Sequence, residues 1–392
     1  MFSTSAKNKK NIDIEALRAY AIAITIVAHL GVINPSWNEA ISYYWLGGGV
    51  DLFLCISGFL IASSLIKENG DRIGFQQFTR SALPFWGRRI FRLWPAAIFW
   101  GTATLFVAST FRTPGAFGDW NDLLHTWTSS LFQITNLHLT ACNYLELYSC
   151  SPDALWHYWS LSLEEQFYFL FPFVFFFINK RALLIISIAC AAFQIFSSRP
   201  WPSFGWFFRT DSILMGISIA LIWHAWQMDR FKILVFEKVL VRKITIITLA
   251  TLLIVLATPR LFDWFMGCTV IVSSMLVFLA SFDRGYIVRS ERNRKIASYI
   301  GSRSYSIYLT HMPVFYLTSS IVGRNFHENA DGLAYSAIAV VIAFSLTLSL
   351  SEFSYQFIET PLRAYGRRLF RTRSTTEMDG DCAPERALPC ER

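Results

Sequence analysis

Arg18 and His29 are separated by ten residues within one apolar stretch near the N-terminus. On an α-helix eleven positions make three turns plus about 20°, so the two side chains share a face roughly 16 Å apart along the axis. Ionisable groups in such stretches are costly and point to function by default. The plainer readings are an arginine that snorkels to the head groups and a histidine hydrogen-bonded in the core. A shared face favours joint action. A histidine base, a carboxylate to orient it and a cation facing developing negative charge make up general acid–base chemistry on a hydroxyl.

Carboxylates and further cations recur at similar depth. Asp51 falls in the outer half of a second apolar run, and His157, Glu164 and Glu165 open a fourth. Arg209 and Asp211 open a sixth on the same side. If these runs pack together, the groups converge; otherwise they are intramembrane ion pairs that fix a bundle. Arg88, Arg89 and Arg92 lead into the third run. Their three- and four-residue spacing makes a forked cationic patch suited to the phosphates of a nucleotide-bearing donor. A basic segment that binds anionic lipid is the other reading. His311 precedes Pro313, which is expected to kink its helix and free a carbonyl nearby. His311 is either a second active-site or gating group, or a buried histidine satisfied by a neighbouring helix.

The elements that must position these groups can be read from composition. Of 392 residues 54% are apolar and only 16% charged, with 36 Phe, 14 Trp and 15 Tyr. Mean hydropathy is +0.39. This excludes a disordered chain and argues against an ordinary soluble enzyme. Runs near 12–34, 43–66, 91–111, 158–179, 182–198, 206–226, 244–258, 263–282, 297–321 and 334–357 approach the length of about 20 residues that a membrane helix needs. The expected fold is an all-α integral membrane bundle of about ten transmembrane helices. The net charge of +8 falls in short blocks between the runs, which argues against nucleic acid. Sorted by loop, 28 basic residues lie on one side and four on the other. The positive-inside rule then puts both termini in the cytoplasm. Lys7, Lys9 and Lys10 resemble a signal peptide's basic start, but Glu15 and Arg18 interrupt the adjoining apolar run, so a retained first helix is expected.

The longest loop, 112–157, falls outside and holds Cys142 and Cys150; an oxidising side permits a disulfide, and two unrelated thiols are equally open. Cys55, Cys190 and Cys268 read as small core residues. No Cys/His spacing resembles a metal site. Residues 1–11 read as a cytoplasmic segment, 12–363 as the membrane domain, and 364–392 as a polar, disordered cytoplasmic tail with Cys382 and Cys390 free.

The ordered motifs resemble the membrane-bound acyltransferase family 3, integral-membrane O-acyltransferases of bacterial surface glycans, over nearly the whole chain. Arg18 and His29 match its Arg-x10-His signature. Gly49 to Leu60 looks like its second-helix motif and Arg88 to Pro95 its Arg-Arg-x-x-Arg-Leu-x-Pro element. Trp159-Ser160-Leu161 with Glu164, Phe167 and Tyr168 resembles its fourth-span segment. Arg209 to Gly216, Ser304 to Val314 and Ile358 to Arg363 are similar to the last three.

The resemblance implies transfer of an acyl group, most often acetyl, from cytoplasmic acyl-coenzyme A to a saccharide hydroxyl, in a multi-pass protein of the bacterial inner membrane. Acetyl-coenzyme A would be a co-substrate, with no tightly bound cofactor. The donor would sit at Arg88, Arg89 and Arg92. His29 would be the base on the acceptor hydroxyl or a transient acyl carrier. Arg18 would bind donor or stabilise the oxyanion. Glu164 would orient His29 or the sugar, with Glu165 as second choice and Asp51 assisting. The acceptor would be an exopolysaccharide, O-antigen or lipo-oligosaccharide, or a small natural product such as a macrolide sugar. Some relatives carry a further span and a hydrolase-like domain; with only a short tail here, the bundle is expected to act alone or with a separate glycan-assembly partner. A proton-coupled secondary transporter using His29 and Asp51 is the reading from another class, but such proteins show repeated halves, and none is visible.

Overall fold

The structure is a computed structural model and describes residues 10–38, 41, 46–70, 74–110, 116–258, 263–325 and 333–370. Lys7, Lys9, Arg72, Arg112 and Arg260, and the tail with Cys382 and Cys390, lie outside the described residues.

A helix falls on each of the ten apolar runs. They are α1 (Ile12–Ala28), α2 (Gly48–Asn69) and α3 (Phe75–Thr110), then, after α4 (Trp120–Leu131) and α5 (Thr135–Asn143), α6 (Tyr158–Phe177) and α7 (Lys180–Ile195). Next come α8 (Asp211–Ala225), α9 (Val239–Val255), α10 (Phe265–Ser281), α11 (Glu291–Asn325) and α12 (Leu333–Phe353). A π-helical turn, Ser354–Glu359, leads into α13 (Thr360–Leu369). Among the described residues, four stretches are long and apolar enough to cross a membrane: Ile12–Val32, Gly48–Asn69, Phe75–Thr110 and Ser336–Leu369; Asp211–Ala225 and Phe265–Ser281 are shorter apolar helices.

Several boundaries differ from the sequence reading. Helix α1 ends at Ala28, so His29 is its C-cap rather than an interior residue; a 3-10 turn, Leu30–Val32, comes next. Helix α3 starts at Phe75 and runs unbroken through Pro84 and Pro95. Its arginines therefore sit well inside a helix instead of at its entrance. Helix α11 likewise continues through Pro313. Past Arg363 the chain stays helical to Leu369.

The segment after α3 is not a loose outer loop. Helices α4 and α5 form a hairpin whose tip, Phe132–Ile134, reaches down beside α6. Thr135 N donates to Ser162 Oγ at 3.2 Å, and the Gln166 amide donates to Gln133 O at 2.7 Å and to Asn136 Oδ1 at 2.8 Å. Gln166 lies eight positions into α6, about 12 Å from its start. The polar groups at the tip thus find protein partners on α6. Cys142 and Cys150 are joined in a disulfide that closes the end of α5 onto the next turn.

Two glycine crossings set the core. Helices α2 and α8 make the most extensive contact in the fold. A Cβ on Gly58 would lie 2.1 Å from Ile213 O, and one on Gly216 would lie 2.1 Å from Cys55 O. A Cβ on Gly301 of α11 would lie 2.2 Å from Glu15 O of α1. Small residues are how membrane helices approach closely enough for strong van der Waals contact. The first crossing brings Asp51 to Arg209, and the second lays α1 along α11, where His29 meets His311.

Candidate active site

The functional side chains fall into three groups. The first is a cleft bounded by α1, α2, α3, α6 and α11, with about 780 Å³ of empty space. Arg18, Arg89, Arg92 and Glu164 line it together with Ser57 and Tyr168. Arg89 and Arg92 share a face of α3 by their three-residue spacing. The Arg89 guanidinium lies 4.7 Å from the Tyr168 ring centroid and 5.7 Å from that of Phe85. Arg18 is braced 3.5 Å from Glu15. Glu164 Oε1 accepts from the Ser57 hydroxyl at 2.5 Å and from the Tyr168 hydroxyl. Three guanidiniums converging on one cleft make a receptor for a polyanion, because each presents a planar fork that matches phosphate. Arg88 turns away: it grips Glu68 through both carboxylate oxygens at 2.8 and 3.0 Å and donates to Phe370 O at 3.2 Å.

The second group is a cluster of three imidazoles. The His29 and His311 ring centroids are 5.1 Å apart, as are those of His311 and His157. His29 Nδ1 lies 2.8 Å from Thr25 O, and His311 Nδ1 lies 2.7 Å from Tyr308 O. A carbonyl only accepts, so each Nδ1 carries its proton, and each Nε2 of a neutral ring is a lone pair. The Tyr308 hydroxyl donates to His157 O at 2.8 Å and pairs with the Ser160 hydroxyl at 2.6 Å. Tyr308 and Ser160 also line the arginine cleft, so they form the boundary between it and the imidazoles.

The third group is a cluster of buried ion pairs. Asp51 takes the Arg209 guanidinium at 3.4 Å, the Ser212 hydroxyl at 3.4 Å and the Thr269 hydroxyl at 2.9 Å. Arg209 is held between the faces of Trp159 and Trp206, 4.8 Å from each. Arg199 clamps Asp211 at 2.8 and 3.1 Å. All four charged groups are at most 3% exposed.

The expected single convergence therefore divides. Asp51, Arg209 and Asp211 do gather, but around Arg199 and one another. Glu164 does not orient His29. It lies seven residues beyond His157, nearly two turns and about 10 Å further along α6. That puts it level with Arg18, which is about 16 Å from His29 along α1. His157 instead joins His29 and His311. Glu165 accepts from Trp94 Nε1 at 3.1 Å and faces a different cavity. Among the described residues no group of three or more His, Cys, Asp or Glu is arranged to hold a metal ion.

Residues 11–352 match the family model described as an acyltransferase domain. The chain belongs to this acyltransferase family. Among curated proteins it is 29% identical over 380 residues to the O-acetyltransferase OatA of Staphylococcus aureus strain NCTC 8325, covering 91% of this chain and 58% of OatA. It is 30% identical over 403 residues to SAR0937 of strain MRSA252, provisionally named an O-acetyltransferase, covering 95% of this chain and 61% of that protein. The chain thus spans about three-fifths of the length of the curated relatives it matches. No solved structure matches it.

In this acyltransferase-family chain, four site residues lie in the matched motifs without standing out by residue type: Ser57, Ser160, Tyr168 and Tyr308. Spacing could have found two of them. Tyr168 is four residues after Glu164, and Tyr308 three before His311, so each shares its partner's helix face. Ser57 meets Glu164, and Ser160 meets Tyr308, through tertiary packing.

Proposed function

We propose that the chain is an O-acyltransferase, in the first instance an O-acetyltransferase, of the bacterial inner membrane. It moves an acyl group from cytoplasmic acyl-coenzyme A to a hydroxyl of an exported saccharide. The observation that carries this reading is the adjacency of a triple-arginine cleft to a cluster of three histidines across one boundary of hydroxyls. The cleft suits the donor's phosphates. His29 Nε2, its tautomer fixed by Thr25 O, suits removal of a proton from the acceptor. The acceptor oxygen then bonds to the acyl carbon, the carbon–sulfur bond breaks, and the thiolate leaves with a proton. Of the two roles open to Arg18, donor binding fits its place in the cleft with Arg89 and Arg92, because about 16 Å along α1 separates it from His29. Transfer through an acyl-histidine uses the same groups in two displacements. Ten crossings with both termini inside belong to this proposal, supported by the distribution of basic residues.

The test compares surface glycan mass from cells with the wild-type chain, with His29→Ala at equal membrane level, and without the chain. Acetyl mass gained only with the wild type supports the reading. No acetyl difference overturns glycan acylation, and acetyl retained by His29→Ala removes His29 from the reaction.

A further inference from the structure

A second cavity lies on the far side of the Arg89–Tyr168 pair, between α3, α6 and the tip of the α4–α5 hairpin, with about 810 Å³ of empty space. Arg89 and Tyr168 line both cavities and so form the partition between them. The outer wall is apolar and turned away from the bundle: Ile90 is 40% exposed, Phe132 71%, Ile134 39% and Phe169 57%. Apolar groups facing outward from a membrane helix bundle meet lipid. The inner end is polar. Glu165 is only 8% exposed. Its Oε2 accepts from Trp94, while Oε1 is buried with no hydrogen-bond partner among the described residues. The neighbouring Gln166 amide is already committed to Gln133 and Asn136. A buried acceptor left without a donor is unfavourable, so one supplied by a ligand would be strongly held.

We propose that this cavity is a lateral port for the acceptor, and that the acceptor is a membrane-resident amphiphile: a hydroxyl-bearing head on an apolar tail, as in a glycolipid or lipid-linked saccharide. The tail lies along Ile90, Phe132 and Phe169, and a head-group hydroxyl donates to Glu165 Oε1. The head then has only the Arg89–Tyr168 partition between it and the donor cleft. An acceptor arriving from water would need neither the lipid-facing apolar wall nor a polar end reached through it. The proposal rests on the acyl-transfer reading and adds the acceptor's class and its route.

The test uses the full chain in vesicles of phosphatidylethanolamine and phosphatidylglycerol, with an alkyl glucoside carrying a diazirine in its tail as probe. Photolabelled residues are read by mass spectrometry. Labelling is expected on residues 86–94, 132–134 and 169, competed by unlabelled alkyl glucoside. Ile90→Trp, which fills the port, is expected to cut it by about tenfold, equal to about 1.4 kcal/mol of binding, and Ile90→Ala to preserve it. Ile134→Trp repeats the block from the opposite wall should Ile90→Trp fail to fold. Labelling spread evenly over the lipid-facing sides of α7 and α9 overturns the proposal. So does competition by a long-chain acyl-coenzyme A without competition by the glucoside, which would make the cavity a donor acyl site. Labelling needs no turnover, so port labelling beside absent acyl transfer would overturn the enzymatic reading alone.

Discussion

His311 Nε2 lies 3.3 Å from His29 Nδ1, although the two residues are 282 positions apart in the chain. Because His311 Nδ1 donates to Tyr308 O, its Nε2 is the acceptor in that contact. The His29 Nδ1 proton is thus shared between Thr25 O and His311. A proton taken up at His29 Nε2 makes Nδ1–H more acidic, and His311 is the group placed to receive it. The His157 ring meets that of His311 edge-on, with centroids 5.1 Å apart. Under the proposed acyl-transfer reading, His29 is the residue that meets substrate and His311 a positioning residue that acts through it.

His29→Ala is expected to reduce acyl transfer by about 10²-fold or more, the usual range for removal of a general base. His311→Leu is expected to lower kcat by about tenfold with an unchanged KM for acyl-coenzyme A, and to shift the acid limb of the pH–rate profile. Turnover of labelled acyl-coenzyme A in membranes measures both. A His311→Leu enzyme with the wild-type pH profile would leave that histidine a packing role only.

The three neighbouring arginines of α3 are expected to separate in function. Arg89→Lys and Arg92→Lys should each raise KM for acyl-coenzyme A by roughly tenfold, since lysine cannot reproduce a bidentate or stacked guanidinium. Arg88→Lys should leave KM nearly unchanged, because Arg88 is bound to Glu68 and Phe370 outside the cleft. Equal effects at all three positions would argue for a diffuse basic surface in place of a built donor site.

The buried Asp51–Arg209 pair predicts a stability effect. Removing one partner of a buried ion pair typically costs about 3–5 kcal/mol because the other charge is stranded. Asp51→Asn and Arg209→Leu are each expected to lower the unfolding midpoint of detergent-solubilised protein, and the double variant to recover part of the loss. Strictly additive losses would show that the two charges do not depend on one another.

The sequence made the apolar runs, and the three-turn separation of Arg18 and His29 along α1, directly legible, because hydropathy and helical spacing are properties of single segments. It did not reveal which carboxylate lies near which base. Glu164 and His157 sit close together in sequence, yet α6 carries them to different sites, since each turn adds about 5.4 Å of depth. The meeting of His29 with His311 depends on the α1–α11 crossing over Gly301, a tertiary fact with no local signature. The α4–α5 hairpin was hidden for a related reason. Its exposed Phe132 and Ile134 are too few to register as a span, and its descent is fixed by Ser162 and Gln166 on another helix.

Asp153, beyond the membrane helices in the turn before α6, carries the clearest pH dependence. It is fully buried. Its carboxyl is met by the Thr126 hydroxyl at 2.6 Å and Leu155 N at 2.7 Å. Burial pushes its pKa up to about 7 from the usual 3.8, outweighing those two contacts. The folded state therefore keeps a proton that the unfolded state releases above pH 3.8. This contribution to stability is complete below pH 3.8, falls as pH rises, and is lost once pH passes about 7. The difference between the two limits is on the order of 4 kcal/mol at 1.36 kcal/mol per unit. Asp153→Asn keeps the shape of the neutral acid: its Oδ1 can accept from Leu155 N and its amide can donate to Thr126 Oγ1. The variant is expected to match the wild type below pH 3.8 and to unfold at a higher temperature near pH 8. Unfolding midpoints measured across that interval check it, and a wild-type decline with pH that persists in Asp153→Asn would assign the titration to another group.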